Sequence, residues 1–426
     1  MGKFSLVYIL GLGLIVAYAL WNINATSSYA MDAYTNYYGR TMAHNIALAG
    51  ANVGTQMLLR DPGATADLAN QQFSSGQYDL YFTRAGDSAF VTTMSQIQVN
   101  GEMIRDTVVA KFRHTPFSKY GWFTETENNG YVGSPYYGAN DWKITGDSVF
   151  GFAHTNNHFN LAGTPYFNDK VTATSAPSLM KINGVEAPVF AAGYQWGITV
   201  SRPLANLTNL EAVATSASTL IDVGEDVALE FFGDGNVSVR IPPATGVLRN
   251  DTVQLSALAP TGVLVVKDGD LRVKGTYKGQ LTLGALKGAA TNKGNIWIDG
   301  DGIHASDNPM TNPNSEDMLG LVAENNAFIT RDDTRTESSI VTIDALVYCY
   351  NGELTAQDFW TIGKHGRTVL FGGVTQKTAG SLGVFSGGGL QHGMFYTVRH
   401  DPRFLTKAPP SYPISDKYEL VSWWEN

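Results

Sequence analysis

Cysteine is almost absent from this chain. Cys349 is the only one in 426 residues, so no intrachain disulfide can form. It lies in the apolar run Ala345–Tyr350 with no His or Lys nearby in sequence, the setting of a packed thiol and not of a nucleophile. Charge is scarce as well, at 16% of residues, and 29 basic against 38 acidic side chains leave a formal charge of -9. No basic stripe is present to neutralise a phosphate backbone, which argues against a nucleic-acid partner. Also missing are a Gly-x-Ser-x-Gly elbow, a phosphate-binding loop and a dinucleotide fingerprint. The sequence therefore names no catalytic residue and no cofactor, and the chain reads as a non-enzymatic structural protein.

What is abundant is glycine, 45 residues, above the ordinary usage of about 7%. With so little charge, this composition suits a β-rich protein with many tight turns outside the cytoplasm. The chain is long enough for two or three domains.

Charge is wholly absent from Phe4 to Ile23, twenty positions that would span about 30 Å as a helix, the hydrocarbon thickness of a bilayer. Lys3 precedes the run and no Lys or Arg follows until Arg40, which puts the amino terminus in the cytoplasm and the body outside. Ala17-Tyr18-Ala19 would serve a cleaved signal peptide, but the run is long for one, and a retained anchor is the expectation. Proline is missing from Asn24 to Arg60, and the helical pattern continues to Asp61-Pro62-Gly63. Tyr38, Met42, Ile46, Ala49, Val53 and Met57 form one stripe. Ala43, Ala47, Gly50 and Gly54 form a small-residue face that suits close helix approach, against the protein's own sheet or against copies of itself.

Three strands are predicted at 77–84, 89–99 and 103–112, with a turn at Asn100-Gly101-Glu102. Beyond about Gly146, three- to five-residue apolar runs recur between Gly, Asn and Asp, consistent with the stacked coils of a β-helix or with a β-sandwich. The expected domains are a helix (1–60), a small antiparallel sheet module (61–145), a β-helix (146–408) and a capping tail (409–426). The fold class is mainly β with a long amino-terminal helix.

Several phrases carry a family resemblance: Phe117-Ser118-Lys119-Tyr120, Gly146-Asp147-Ser148-Val149-Phe150-Gly151, Leu161-Ala162-Gly163-Thr164-Pro165-Tyr166-Phe167, His400-Asp401-Pro402-Arg403-Phe404 and Ser422-Trp423-Trp424-Glu425. The set resembles a group of bacterial envelope proteins with a type IV pilin-like amino-terminal helix and a β-helix ectodomain. The resemblance implies that fold; from the helix itself, the expectation is a membrane-anchored or filament-forming subunit that assembles with copies of itself. One departure stands out. Val7 occupies the position where pilins carry the Glu that is thought to pair with a neighbouring subunit's amino terminus.

The residues expected to make helix–helix contacts are Phe4, Leu6, Ile9, Leu10, Gly13 and Ile15, with Ala43, Ala47, Gly50 and Gly54 on the small face. Their role would be packing. Other candidates have plainer explanations. His154 and His158 sit in a polar strand-like stretch where they would be about 13 Å apart, too far to share a metal. Asp299-Gly300-Asp301-Gly302 and Gly233-Asp234-Gly235-Asn236 leave room for a structural calcium but fit ordinary turns. Asp299, Asp301 and Glu324 are the carboxylates a polysaccharide-cleaving enzyme would need. Exposed aromatics leave surface glycans as an alternative partner for a membrane-anchored adhesion module.

Overall fold

The computed structural model describes residues 3–85, 88–116, 119–200, 202, 207–241 and 249–425. A long amino-terminal helix is followed by a large β-rich domain. Two compact units divide the chain, Met1–Thr115 with Asp416–Asn426, and Pro116–Ser415.

The first unit is built on α1 (Lys3–Arg60), 58 residues and so about 87 Å long. Four antiparallel strands follow: β1 (Leu68–Phe73), β2 (Gly76–Ala85), β3 (Ser88–Val99) and β4 (Glu102–Pro116). Asn100 and Gly101, both with positive φ (49° and 85°), make a two-residue turn that sets Val99 opposite Glu102. That left-handed pair matches the twist of the flanking strands. Helix and sheet close over Ile46, Leu58, Leu80, Val91, Ala110 and Phe112.

The helix face against the sheet keeps part of the stripe expected from the sequence: Ile46 is fully buried and Met42 and Met57 pack on the same core. Tyr38 and Val53 are exposed, whereas Ala43, Ala47 and Ala51 are fully buried. Small residues win because they let backbone and sheet come close. A Cβ on Gly50 would stand 2.4 Å from Thr93 Cγ2, and one on Gly54 2.5 Å from Val91 Cγ1.

The fifth strand of this sheet is Ile414–Glu425, beside β4. The expected capping tail (409–426) is therefore corrected: its last part completes the first unit, burying Tyr418 and placing Trp423 against Ala47 and Ala51. The second unit is inserted between two neighbouring strands of the first.

The second unit is mainly a stack of parallel strand pairs, unlike the antiparallel pairing of a sandwich, with antiparallel pairs within 227–254 and 383–400. Leu264 lies opposite Leu283, then Leu321, Val347 and Val374. The ladder then turns back in sequence to β5 (Trp122–Thr126), with Trp122 beside Val374, and runs on through Ala153 and Val171. The stack thus begins at Trp122 and not near 146, and the small-sheet module ends near Pro116. The expected boundary fails because the early coils (122–195) dock on the last one, a pairing with no local signature.

Aligned strands about 4.8 Å apart put one apolar side chain per coil into the core. Outward-facing Val263, Val265, Met318, Val322, Leu346 and Tyr348 are covered by α2 (Leu207–Ser216) and by Phe404 and Tyr412 from the chain's return path. One inward column breaks the pattern. It reads Val266, Ala285, Ala323 and Cys349, then Gln376, Thr124 and Thr155, all buried.

Candidate functional site

Residues 7–38 of α1 have almost no cover from the chain itself. Ile9 is 73% and Ile15 66% exposed, Leu10 is exposed, and a Cβ on Gly13 would meet nothing within 4 Å. The side chains of Phe4 and Leu6 lie outside the described residues. The segment is long and apolar enough to cross a membrane, with large hydrophobic residues on every side. A helix apolar all round finds its environment in lipid or in other helices.

The structure separates the two halves of the expected contact set. Ala43, Ala47, Gly50 and Gly54 are occupied by the unit's own sheet, so their expected role against a second copy is withdrawn. The residues between the halves, from Asn24 to Tyr38, are polar and aromatic and hold Asp32.

A second feature lies where the core column turns polar. The chain leaves β5 at Glu127 and returns at Asp141 through a closed loop. Asn129 N donates to Ala139 O at 2.8 Å, Gly138 N to Asn129 O at 2.8 Å and Asp141 N to Glu127 O at 3.0 Å. Rings hold the loop down: Tyr131 is 5.0 Å from Phe328 and 5.7 Å from Trp360, and Tyr136 is 5.9 Å from Phe359. Beside it opens a cleft of about 380 Å³ lined by Asn129, Tyr136, Asn140, Asp141, Trp142 and Phe385, with Ser381 at its base.

Beneath the cleft, the Lys143 ammonium pairs with Asp141 and stands 4.1 Å from the Trp122 ring centroid. Ser381 Oγ donates to Asp141 Oδ1 at 2.9 Å. Asp147 accepts from Ile144 N at 2.8 Å and Tyr396 N at 2.7 Å. Glu353 accepts from Gly130 N and from Thr378 Oγ1. Burial pushes Glu127 up to about 7, Asp147 to about 6 and Glu353 to about 8. Burial opposes the charge on Lys143, but Asp141 and Glu127 outweigh it and the net shift is upward. Near neutrality, Glu353 is held mostly protonated. Asn129 Nδ2, Glu353 Oε1 and Gln376 Nε2 are buried with no hydrogen-bond partner among the described residues.

The other residues singled out from sequence are structural. His154 is buried, within 2.7 Å of Thr172 Oγ1 and 3.0 Å of Asn156 Oδ1, with burial lowering its basicity. Asp299 is held by Arg272 at 2.6 Å and 2.9 Å, and Glu324 accepts from Lys287 N at 2.9 Å. Asp301 is exposed, and the cleft that Asp299 lines with Asp226, Glu230, Arg272 and Lys274 includes neither Asp301 nor Glu324, so the three do not face one cleft together. Asp234 accepts from its neighbour Asn236. Among the described residues, no group of three or more His, Cys, Asp or Glu is placed to hold a metal. Burial raises the Cys349 thiol far above its usual range, which leaves it unreactive.

Sequence reasoning missed the cleft. Its one local signal is the density of rings among Asn and Gly in 128–142, where Tyr131, Tyr136, Tyr137 and Trp142 fall within fifteen residues.

No protein-family model matches the chain, and no curated protein does. Among solved structures, the crystal structure of the competence-associated pilin ComZ from Thermus thermophilus is similar over 91% of this chain and 97% of that one, at 12% identity and a TM-score of 0.38. A score that low leaves the chain's own geometry to carry the reading.

Proposed function

We propose that this chain is a non-enzymatic, pilin-like subunit of the bacterial cell envelope. Residues 4–23 anchor it in a membrane with the body outside, and the same helix packs against other copies to form a filament. The stacked coils of the second unit are then a β-helix displayed outward. The observation that carries the reading is the uncovered, uncharged and mostly apolar run from Val7 to Ile23 of α1, set against a second half already occupied by its own sheet. Stability of the folded unit gives no reason for so many exposed apolar residues, whereas lipid or a helical core does. With Val7 in place of a carboxylate, the contact rests on packing alone, through Ile9, Leu10, Gly13 and Ile15 with Phe4 and Leu6.

The test is single-cysteine crosslinking in cells, with thiols introduced as Ile9→Cys and Ile15→Cys. Cys349 is buried and does not compete. The expected result is oxidation to covalent dimers, with filaments visible by electron microscopy and the body open to protease in spheroplasts. Absence of both crosslinks and filaments would reduce the chain to a monomeric anchor. A protease-protected body would overturn the orientation.

A further inference from the structure

We propose that the cleft beside the 127–142 loop is a binding site for a neutral saccharide, with a sugar ring seated against Trp142, Tyr136 and Phe385. This inference rests on the second unit alone and stands whether or not α1 assembles.

Shape and chemistry argue together. At about 380 Å³ the cleft lies in the lower part of the small-ligand range. One part of its lining is aromatic; the other is amide, carboxylate and hydroxyl, from Asn129, Asn140, Asp141 and Ser381. A sugar presents the same two kinds of surface, a face of C–H groups that packs on rings and an equator of hydroxyls that both donate and accept. Asn129 supplies the specific signal. It is 1% exposed, its Oδ1 accepts from Tyr131 N at 3.1 Å, and its Nδ2 donates to nothing among the described residues. A buried donor left open costs about 1–3 kcal/mol, and Asn129 is part of the cleft wall.

Charge selects the ligand class. Asp141 is the acidic group in the lining, and Lys143 behind it neutralises it. Ser381 fixes the carboxylate from the other side at 2.9 Å, so its remaining lone pairs are aimed and not free to rotate. A fixed carboxylate accepts hydroxyl protons well but offers nothing to an anion. Uronates, sialylated sugars and phosphates are therefore disfavoured, and a neutral hexose or N-acetylhexosamine fits.

The polar column under the loop has the same explanation. Gln376 and Thr124 stand where neighbouring coils carry Ala323 and Cys349, and Glu353 is buried beside the loop at Gly130. An apolar core would be more stable there. A polar one holds the loop backbone, Gly130 N in particular, in the geometry that shapes the cleft.

The experiment uses the full chain in detergent. The probes are glucose, galactose, N-acetylglucosamine and N-acetylgalactosamine, free and as short oligomers, with galacturonate as the charged comparison. Saturation-transfer NMR and calorimetry read binding. The expected result is saturable binding of at least one neutral probe in preference to galacturonate, weakened at least about tenfold by Trp142→Ala and by Tyr136→Ala. Tyr136 is 39% exposed, so its variant folds even if the Trp142 variant does not. Trp196→Ala, at a tryptophan 60% exposed outside the cleft, should bind as the parent does. Three outcomes overturn the proposal: no neutral probe binds, galacturonate binds best, or affinity falls with Trp196→Ala and not with the cleft variants.

Discussion

Replacing Gly50 by alanine tests how α1 meets its sheet. In an isolated helix the change is favourable by about 1 kcal/mol, because glycine pays more backbone entropy and alanine is the best helix former. Here the new Cβ would stand 2.4 Å from Thr93 Cγ2 and 2.7 Å from Tyr78 Cδ2, far inside normal contact. Neither neighbour yields easily, since Thr93 is a fully buried β-branched residue in β3 and Tyr78 is a nearly buried ring in β2. Overpacking of this kind costs typically 1–3 kcal/mol, which against a gain of about 1 leaves a net loss of up to about 2 kcal/mol. Gly54→Ala should behave alike, its Cβ landing 2.5 Å from Val91 Cγ1 and 2.6 Å from Leu80 Cδ1. Gly13→Ala is the control, for nothing lies within 4 Å of its Cβ. Hydrogen exchange of the full chain in detergent, read on residues 43–58, is the measurement. A loss of 1.4 kcal/mol appears as about tenfold faster exchange, confined to the packed half of α1 and to β2 and β3. If Gly50→Ala slows exchange there, as helix propensity alone predicts, the close approach of helix and sheet is wrong.

Two further predictions concern the insertion and the polar core. Deleting 416–426 removes the strand beside β4 together with Tyr418 and Trp423, and should speed exchange in β4 and α1 residues 43–51 while leaving the second unit's coils protected; unchanged β4 protection would refute the pairing. Glu127 and Glu353 titrate in the folded state at about 7 and 8 against an ordinary 4.5, so the folded chain binds more protons than the unfolded one between about pH 4.5 and 8. Stability of the second unit should be greatest below about 4.5 as far as these groups decide it, and fall as pH rises to 8. Denaturant melts at several pH values read this slope; Glu353→Gln should flatten it, and stability rising from pH 5 to 8 would contradict the burial of these acids.

Much of the first unit was legible because its signals are local. An uncharged run of twenty residues and a proline-free stretch give α1 its length, and Asn100-Gly101 marks the hairpin between alternating strands. The buried side of the helix was harder. Tyr38 and Val53 carry more apolar area than Ala43 or Gly50, so a pattern weighted by hydrophobicity finds Ile46 but also picks these two exposed positions. What matters at that interface is the distance between backbones, which small residues set and large ones prevent. The insertion left no trace in sequence, since Ile414–Glu425 pairs with β4 across some three hundred residues. The cleft and the polar column beside it were hidden for the opposite reason: Asn129 and Gln376 look like turn and surface residues until segments from distant parts of the chain bury them. The same distance hid the origin of the stack at Trp122, whose partner Val374 lies 252 positions away by number.

The glycines of α1 link these observations to the proposed assembly. Glycine inside a helix costs about 1 kcal/mol relative to alanine and needs a return. Gly39, Gly50 and Gly54 find theirs within the chain, where a Cβ would collide with Ile104, Thr93 or Val91. Gly11 and Gly13 have no neighbour within 4 Å of that position. Their return must come from outside the folded chain, and lipid, which is fluid, gives no preference for a missing methyl group. A second helix at close range does, because two backbones approach only where side chains are absent. In the proposed assembly, the pair would favour helix–helix contact near Gly11 and Gly13 over simple anchorage, away from the face the chain's own sheet has taken.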